Sequence, residues 1–303
     1  MTGLCRAIGV DWGSTNRRAY LVCHDGGILE RREDGAGVLS APAEDYYTSL
    51  MRLVGDWWRD TGAAIWLSGM IGGRDGWREI PYLPVPLDLQ ELGRSGRSIA
   101  PAGTGTPTIR IIPGLSQRAP DGPADVMRGE ETQLLGAWSL GGRDGWYVLP
   151  GTHSKWVRLE RGRVVRFHTF MTGELFARLR EKGALASITA AAPEDPAGFA
   201  AGVLDARQAA LPLALFGIRA GVLLGEHPQA QASSRLSGML IGAELDAAQR
   251  LGCLEQGSVF LIGAPAMLRW YELALHQHGM QAQLLDADAC YLQALLRCLE
   301  YQL

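Results

Sequence analysis

Ala7-Ile8-Gly9-Val10-Asp11-Trp12-Gly13-Ser14-Thr15-Asn16-Arg17, continued by Ala19-Tyr20-Leu21-Val22, is an apolar run, a glycine-hydroxyl turn and a second apolar run. Half a chain later the pattern returns as Trp146-Tyr147-Val148-Leu149, the turn Gly151-Thr152-His153-Ser154-Lys155, and Trp156-Val157-Arg158-Leu159. Short β-prone runs joined by a glycine turn predict hairpins. A further turn follows each, Asp25-Gly26-Gly27 and Glu160-Arg161-Gly162, and gives way to another β-like run. The halves therefore read as copies of one motif. Because each first turn ends in a basic residue, the pair suggests a duplicated α/β fold gripping a phosphate tail from two sides.

Working outward, Pro42 to Arg59 carries Tyr46, Leu50, Leu53 and Trp57 at helical spacing, and Ala64 to Leu67 is a short buried strand. That strand runs into Ser68-Gly69-Met70-Ile71-Gly72-Gly73, at the carboxyl end where ligands of open α/β sheets sit. Ile80 to Leu87 reads as a Pro-rich loop or edge and Gly93 to Pro107 as a surface excursion. Thr108 to Ile112 reads as a strand and Glu130 to Trp138 as a helix. The second half repeats sheet then helices, with Gly173 to Glu181, Ala197 to Leu224 and Arg235 to Leu251 helical, Val259 to Ile262 a buried strand, and a last helix from Ala289. The expected lobes are 1–140 and 141–303. The literal repeat Gly-Gly-Arg-Asp-Gly-Trp at 72–77 and 141–146 reads as shared turn chemistry rather than a shared ligand role.

With 303 residues, 47% hydrophobic and 20% charged, the chain can bury two cores of ordinary size. A net charge of −3 without Lys/Arg clustering gives no footprint for nucleic acid. Five scattered cysteines without a C-x-x-C spacing suit a reducing compartment. Asp11 interrupts the first apolar stretch, and Pro212 and Arg219 interrupt the longest, so neither an export signal nor a membrane span is expected. The expectation is a soluble cytoplasmic protein with a small-molecule partner, for which a homodimer is an open option.

Converging backbone N–H groups make an anion cradle, and glycine allows the close approach a phosphate oxygen needs. Gly13, Ser14 and Thr15 fit that role, as do Gly151, Thr152, His153 and Ser154, with Arg17 and Lys155 as cations. Arg17 reads equally well as a strand residue. Asp11 suits a Mg²⁺ ion, which prefers one or two carboxylates plus phosphate oxygens. Asp125 and Glu130, around a helix start, are both candidates for a general base, and both read equally as capping acids. Arg128 pairs with those acids or binds an anionic substrate. Gly263 and Ala264 would let a purine lie against backbone, while Gly238 and Gly242 are either the opposite wall or helix-packing residues.

Asp11 to Arg17, Leu67 to Gly72, Asp125 to Gln133, Leu149 to Trp156 and Phe170 to Phe176 together resemble the 2-dehydro-3-deoxygalactonokinase family, in order and over nearly the whole chain. The resemblance implies the two-lobed actin-like ATPase fold (ribonuclease H-like), a duplicated domain with MgATP in a central cleft. It implies transfer of the γ-phosphoryl group to the 6-hydroxyl of 2-dehydro-3-deoxy-D-galactonate in galactonate catabolism. Pro150 stands where wider relatives carry an acid, which makes Asp11 the main metal-facing carboxylate. Arg74, Arg78 and Arg128 are then candidates for the sugar-acid carboxylate, and Ser68 and Gly69 for its hydroxyl or keto oxygens. The alternatives are a kinase of the same fold for another sugar acid or polyol, a phosphate-chain hydrolase, and an actin-like module driven by nucleotide.

Overall fold

A computed structural model describes residues 5–23, 26–40, 45–99, 105–118, 123–189, 193–254 and 258–300. Asp25 of the first predicted second turn, the 42–44 start of the first predicted helix, 100–104 of the surface excursion and the last three residues of the final predicted helix lie outside them. The chain divides into two compact units: residues up to Asp144 with Arg158–Phe167 and everything from Asp286, and Gly145–Val157 with His168–Leu285.

In the first unit, β1 (Cys5–Trp12), β2 (Arg17–Cys23) and β3 (Ile28–Asp34) form an antiparallel meander, and α1 (Tyr46–Thr61) follows. The helix starts where the Asp45 carboxylate accepts the Thr48 N–H and stops at Gly62, whose φ of 67° suits a left-handed cap. It buries Leu50, Leu53, Val54 and Trp57 against Ile8, Val10, Trp12, Ala19 and Leu21 of the sheet. Each such side chain contributes roughly 1.5–3 kcal/mol by leaving water. β4 (Ile65–Gly69) runs parallel to β1 on its other side. Then come β5 (Leu83–Pro84), β6 (Leu87–Asp88), α2 (Leu89–Arg94), β7 (Arg97–Ser98), β8 (Ile109–Ile111), β9 (Leu115–Gln117), β10 (Asp125–Met127) and α3 (Glu130–Ser139). The main sheet has the order β3-β2-β1-β4-β8-β7, and β10-β9-β5 form a small second one.

A second large sheet repeats this plan. β11 (Gly145–Leu149), β12 (Ser154–Glu160) and β13 (Arg163–Phe170) lie side by side, and α4 (Thr172–Glu181) follows. Next are α5 (Pro196–Gln208), α6 (Leu211–Leu224), α7 (Ala232–Arg250), β14 (Ser258–Gly263), α8 (Pro265–Gln277) and β15 (Gln281–Asp286). The sheet order is β6-β13-β12-β11-β14-β15, in which β13-β12-β11-β14-β15 matches β3-β2-β1-β4-β8, and β14 is parallel to β11 as β4 is to β1. This shared order bears out the duplication read from the two turns. Its core joins Trp146, Val148 and Trp156 to Phe199, Ile241, Leu245, Tyr271 and Leu275. Gly238 and Gly242 pack α7 on α5: a Cβ would stand 2.0 Å from the Phe199 carbonyl oxygen and 2.9 Å from that of Val203. They are packing residues, not a wall for a purine. The last helix, α9 (Ala287–Glu300), counts with the first unit and packs on α3.

No helix among the described residues is long and apolar enough to cross a membrane. The two Gly-Gly-Arg-Asp-Gly-Trp copies differ in setting: the first forms a short 3-10 turn and loop after β4, the second leads from α3 into β11.

Candidate active site

In the first unit, β1 and β2 are joined by a tight turn in which Gly13 N–H donates to the Asn16 carbonyl at 2.9 Å. The carbonyls of Gly13, Ser14 and Thr15 accept from the N–H groups of Val38, Leu39 and Gly37 at 3.0, 2.8 and 3.1 Å. In a trans peptide the next N–H points opposite to the carbonyl. The N–H groups of Ser14, Thr15 and Asn16 therefore face away from 37–39, as an anion cradle requires. The brace depends on Gly37, where a Cβ would lie 2.3–2.4 Å from the Ser14 and Thr15 backbone. The sequence reading passed over that glycine.

Arg17 does not join this cradle. It is 2% exposed, its Nε and Nη2 donate to Asp34 at 2.8 and 2.9 Å, its Nη1 donates to Ser49, and it stacks on Trp12. Arg17 is on the strand but is not the solvated strand residue that the alternative reading expected, because its guanidinium is buried against Asp34 and Ser49. Ser68 is also buried and its hydroxyl points to Tyr291 of α9 at 3.4 Å, so it is turned to the core rather than to a sugar.

Asp11 ends β1. Burial pushes its carboxyl up to about 6, opposed by Arg18 and reinforced by Glu130 and Asp288. Gly69 and Gly129 bring the ends of β1 and β4 and the start of α3 together. A Cβ on Gly69 would sit 2.7 Å from the Trp12 carbonyl, and one on Gly129 would sit 3.3 Å from the Gly69 Cα. At Gly129 φ is 112°, closed to most side chains. Glu130 thus starts α3 close enough for its charge to act on Asp11, and its Oε2 accepts the Arg128 N–H at 3.0 Å. Asp125 stands instead on β10 opposite Gln117, where its carboxylate accepts the Val126 N–H. Glu131 is buried, accepts the Gly129 N–H, and is pushed up to about 8 by burial and by Glu130.

Arg74 and Arg78 are exposed. Arg128 is 7% exposed, donates from Nη2 to the Ile80 carbonyl at 2.7 Å and lies over Tyr82, while its Nε and Nη1 have no partner. A buried cation with open donors is costly unless something pairs with it.

In the second unit, Gly151, Thr152 and His153 are exposed in the turn between β11 and β12. Gly173 is packed so closely that a Cβ would stand 2.3 Å from the Gly151 carbonyl, and Glu174 N–H donates to the Thr152 carbonyl at 2.8 Å. The start of α4 is thereby stitched to the turn, and His153 Nε2 meets Glu174 at 2.7 Å. Alternation along β12 separates the next two residues. Ser154 is fully buried and donates to Glu244 at 2.7 Å, whereas Lys155 Nζ donates to Thr169 at 2.9 Å. Ser154 accordingly holds the turn from beneath instead of offering its hydroxyl to a ligand. A cavity of about 410 Å³ opens beside the turn, lined among others by Gly151, Thr172, Gly173, Ala264, Trp270 and Tyr271. Ala264 of the β14–α8 turn lines it, and Gly263 packs against Leu268 and Pro150.

Glu244 went unread in the sequence. Its only signal is an acid set directly after the apolar and small run Met239 to Ala243 of α7.

The model of the family 2-keto-3-deoxy-galactonokinase matches residues 11–298. A Rhizobium meliloti (strain 1021) protein named for 2-dehydro-3-deoxygalactonokinase is 39% identical, over 92% of each chain. The Escherichia coli (strain K12) 2-dehydro-3-deoxygalactonokinase is 35% identical, over 94% of each. A crystal structure of a Sinorhizobium meliloti protein under the same kinase name superposes with a TM-score of 0.86 at 35% identity, covering 96% of this chain and 95% of that one. Component A of (R)-2-hydroxyglutaryl-CoA dehydratase from Acidaminococcus fermentans shares the fold alone, at 13% identity and a TM-score of 0.51 over 98% and 97%. The α/β fold is that of the actin-like ATPases, and the chain belongs to the 2-keto-3-deoxy-galactonokinase family of phosphotransferases.

Proposed function

We propose that this kinase transfers the γ-phosphoryl group of MgATP to the 6-hydroxyl of 2-dehydro-3-deoxy-D-galactonate, as a cytoplasmic step of galactonate catabolism. The observation that carries the reading is the family match across residues 11–298, which takes in both glycine turns and the acids at 11 and 130. Bound MgATP supplies the phosphoryl group and the charge of the metal. The donor set suits a hard cation: Asp11 is a carboxylate crowded by Glu130 and Asp288, a repulsion that a nearby cation relieves.

In this reading the N–H groups of Ser14 to Asn16 and those of Gly151 to His153 bind the terminal phosphates. Lys155 offsets charge that develops during transfer. The cavity beside Ala264 holds the nucleoside. Glu130, rather than Asp125, orients the sugar hydroxyl and takes its proton, because Glu130 starts α3 within reach of the charge on Asp11. In a loose transition state that proton leaves late, so alignment is the larger part of its work. Arg128 takes the substrate carboxylate, since it has open donors; the Gly72–Gly73 turn that covers them has to yield for the acid to enter.

A coupled assay of ADP release against a panel of sugar acids and polyols tests the reading. Release should depend on 2-dehydro-3-deoxy-D-galactonate. Release indifferent to any sugar would overturn it in favour of a hydrolase or a nucleotide-driven module, and preference for another acceptor would overturn the substrate.

A further inference from the structure

Glu244 lies in the middle of α7 and is 3% exposed. Its Oε1 accepts from Ser154 Oγ and Trp156 Nε1, both at 2.7 Å, and its Oε2 accepts from Tyr271 Oη at 2.8 Å and from Thr172 Oγ1. All four partners are neutral donors. Burial raises its carboxyl above the usual range, and the donors work against that shift. The residues so tied sit at the start of β12 just after the turn, at the first position of α4, and on α8. Thr172 and Tyr271 also line the cavity, beside Gly151 and Gly173.

One carboxylate therefore ties the strand that follows the turn to α4 and α8, and the turn, α4 and α8 all line the cavity. A carboxylate suits the task because it only accepts, and through two oxygens it can serve several donors at once. No neutral side chain of that size offers as many acceptor sites. An apolar replacement would strand the buried Trp156 N–H and three hydroxyls.

We propose that Glu244 is a positioning residue for the nucleotide: it fixes the turn 151–153, the α4 start and Tyr271 in the arrangement that binds the phosphate and nucleoside. The proposal rests on the nucleotide reading of this cavity given above.

The test compares wild type, Glu244→Ala and Glu244→Gln by calorimetric titration with a non-hydrolysable ATP analogue and magnesium, and by KM for each substrate. Glu244→Ala should weaken the analogue and raise the KM for ATP by about tenfold or more, the equivalent of one or more lost hydrogen bonds. The KM for the sugar acid should stay within about twofold. Glu244→Gln should recover most of the affinity, because its carbonyl can still accept from Trp156 while the Thr172 and Tyr271 hydroxyls turn to accept from its amide. Should Glu244→Ala fail to fold, Thr172→Val and Tyr271→Phe each remove one donor, and each should weaken the analogue by about three- to tenfold. Analogue affinity unchanged in the folded variants, or equal rises in both KM values, would overturn the proposal. Absence of binding by wild type would instead overturn the nucleotide reading on which it rests.

Discussion

The turns at 13–16 and 151–154 look alike in sequence and are held in different ways. The first is braced through its backbone: three carbonyls accept from 37–39, and Gly37 is what lets that segment come so near. The second is braced through a side chain, the Ser154 hydroxyl pulled down onto Glu244, with α4 stitched on by Glu174 N–H. The basic residues after the turns also differ in their partners, Arg17 donating to Asp34 and Ser49 and Lys155 to Thr169. A duplicated strand order thus keeps the place of a turn between two strands without preserving the residues that hold it. Similar signatures can share a role while their supports have to be found separately in each copy.

The largest expected effect lies with the acids at and before the start of α3 in the first unit. Glu130→Gln should lower kcat by about 10²–10⁴ with little change in the KM for ATP, measured in single-turnover transfer. Asp125→Asn should stay near wild type, and the reverse outcome would return the base to β10. Next, Arg128→Ala should raise the KM for the sugar acid by roughly tenfold or more, as a lost charge-assisted pair does. Arg74→Ala and Arg78→Ala should change it little if Arg128 is the partner.

The braces themselves can be compared directly. Gly37→Ala should destabilise the fold by about 1–3 kcal/mol, because its Cβ has nowhere to go but into the first turn. Gly151→Ala should move thermal stability by less than about 0.5 kcal/mol, since the nearest atom to its Cβ would be 3.8 Å away. Equal losses at both positions would erase the distinction between the turns.

The smallest effect is a slope. Glu131 has its folded-state pKa raised to about 8 from 4.5, so it adds stability fully below the unfolded value and loses it as pH rises through about 8. Unfolding curves of the free protein from about pH 6 to about pH 9 should therefore fall less steeply for Glu131→Gln. Parallel slopes would show that Glu131 does not set this dependence.

Much of this was legible before any coordinates. Periodicity placed α1, α3, α7 and β14 within a few residues, because each has one strongly apolar face or a wholly apolar run. The duplicated turns gave the duplicated sheets. Short strands such as β5 and β9 escaped, since two or three residues carry no period to read. At the site, residue type pointed to Asp11, Glu130 and the turns, but type alone could not show that Arg17 and Ser154 face inward. Their partners lie 17 and 90 residues away, at Asp34 and Glu244, and only folding reveals which donor a buried acid collects. The close approach of Gly129 to Gly69, on which the proposed preference for Glu130 over Asp125 rests, is likewise visible only in the fold.

The central claim is that both turns serve one ligand, whatever holds each of them in place. Amide hydrogen exchange on the wild-type chain, with and without a non-hydrolysable ATP analogue and magnesium, tests it most directly. The account predicts slowed exchange in the peptides that contain Ser14 to Asn16 and in those that contain Thr152 and His153, at the same analogue concentration. Slowing at one turn with the other unchanged at saturation would contradict it.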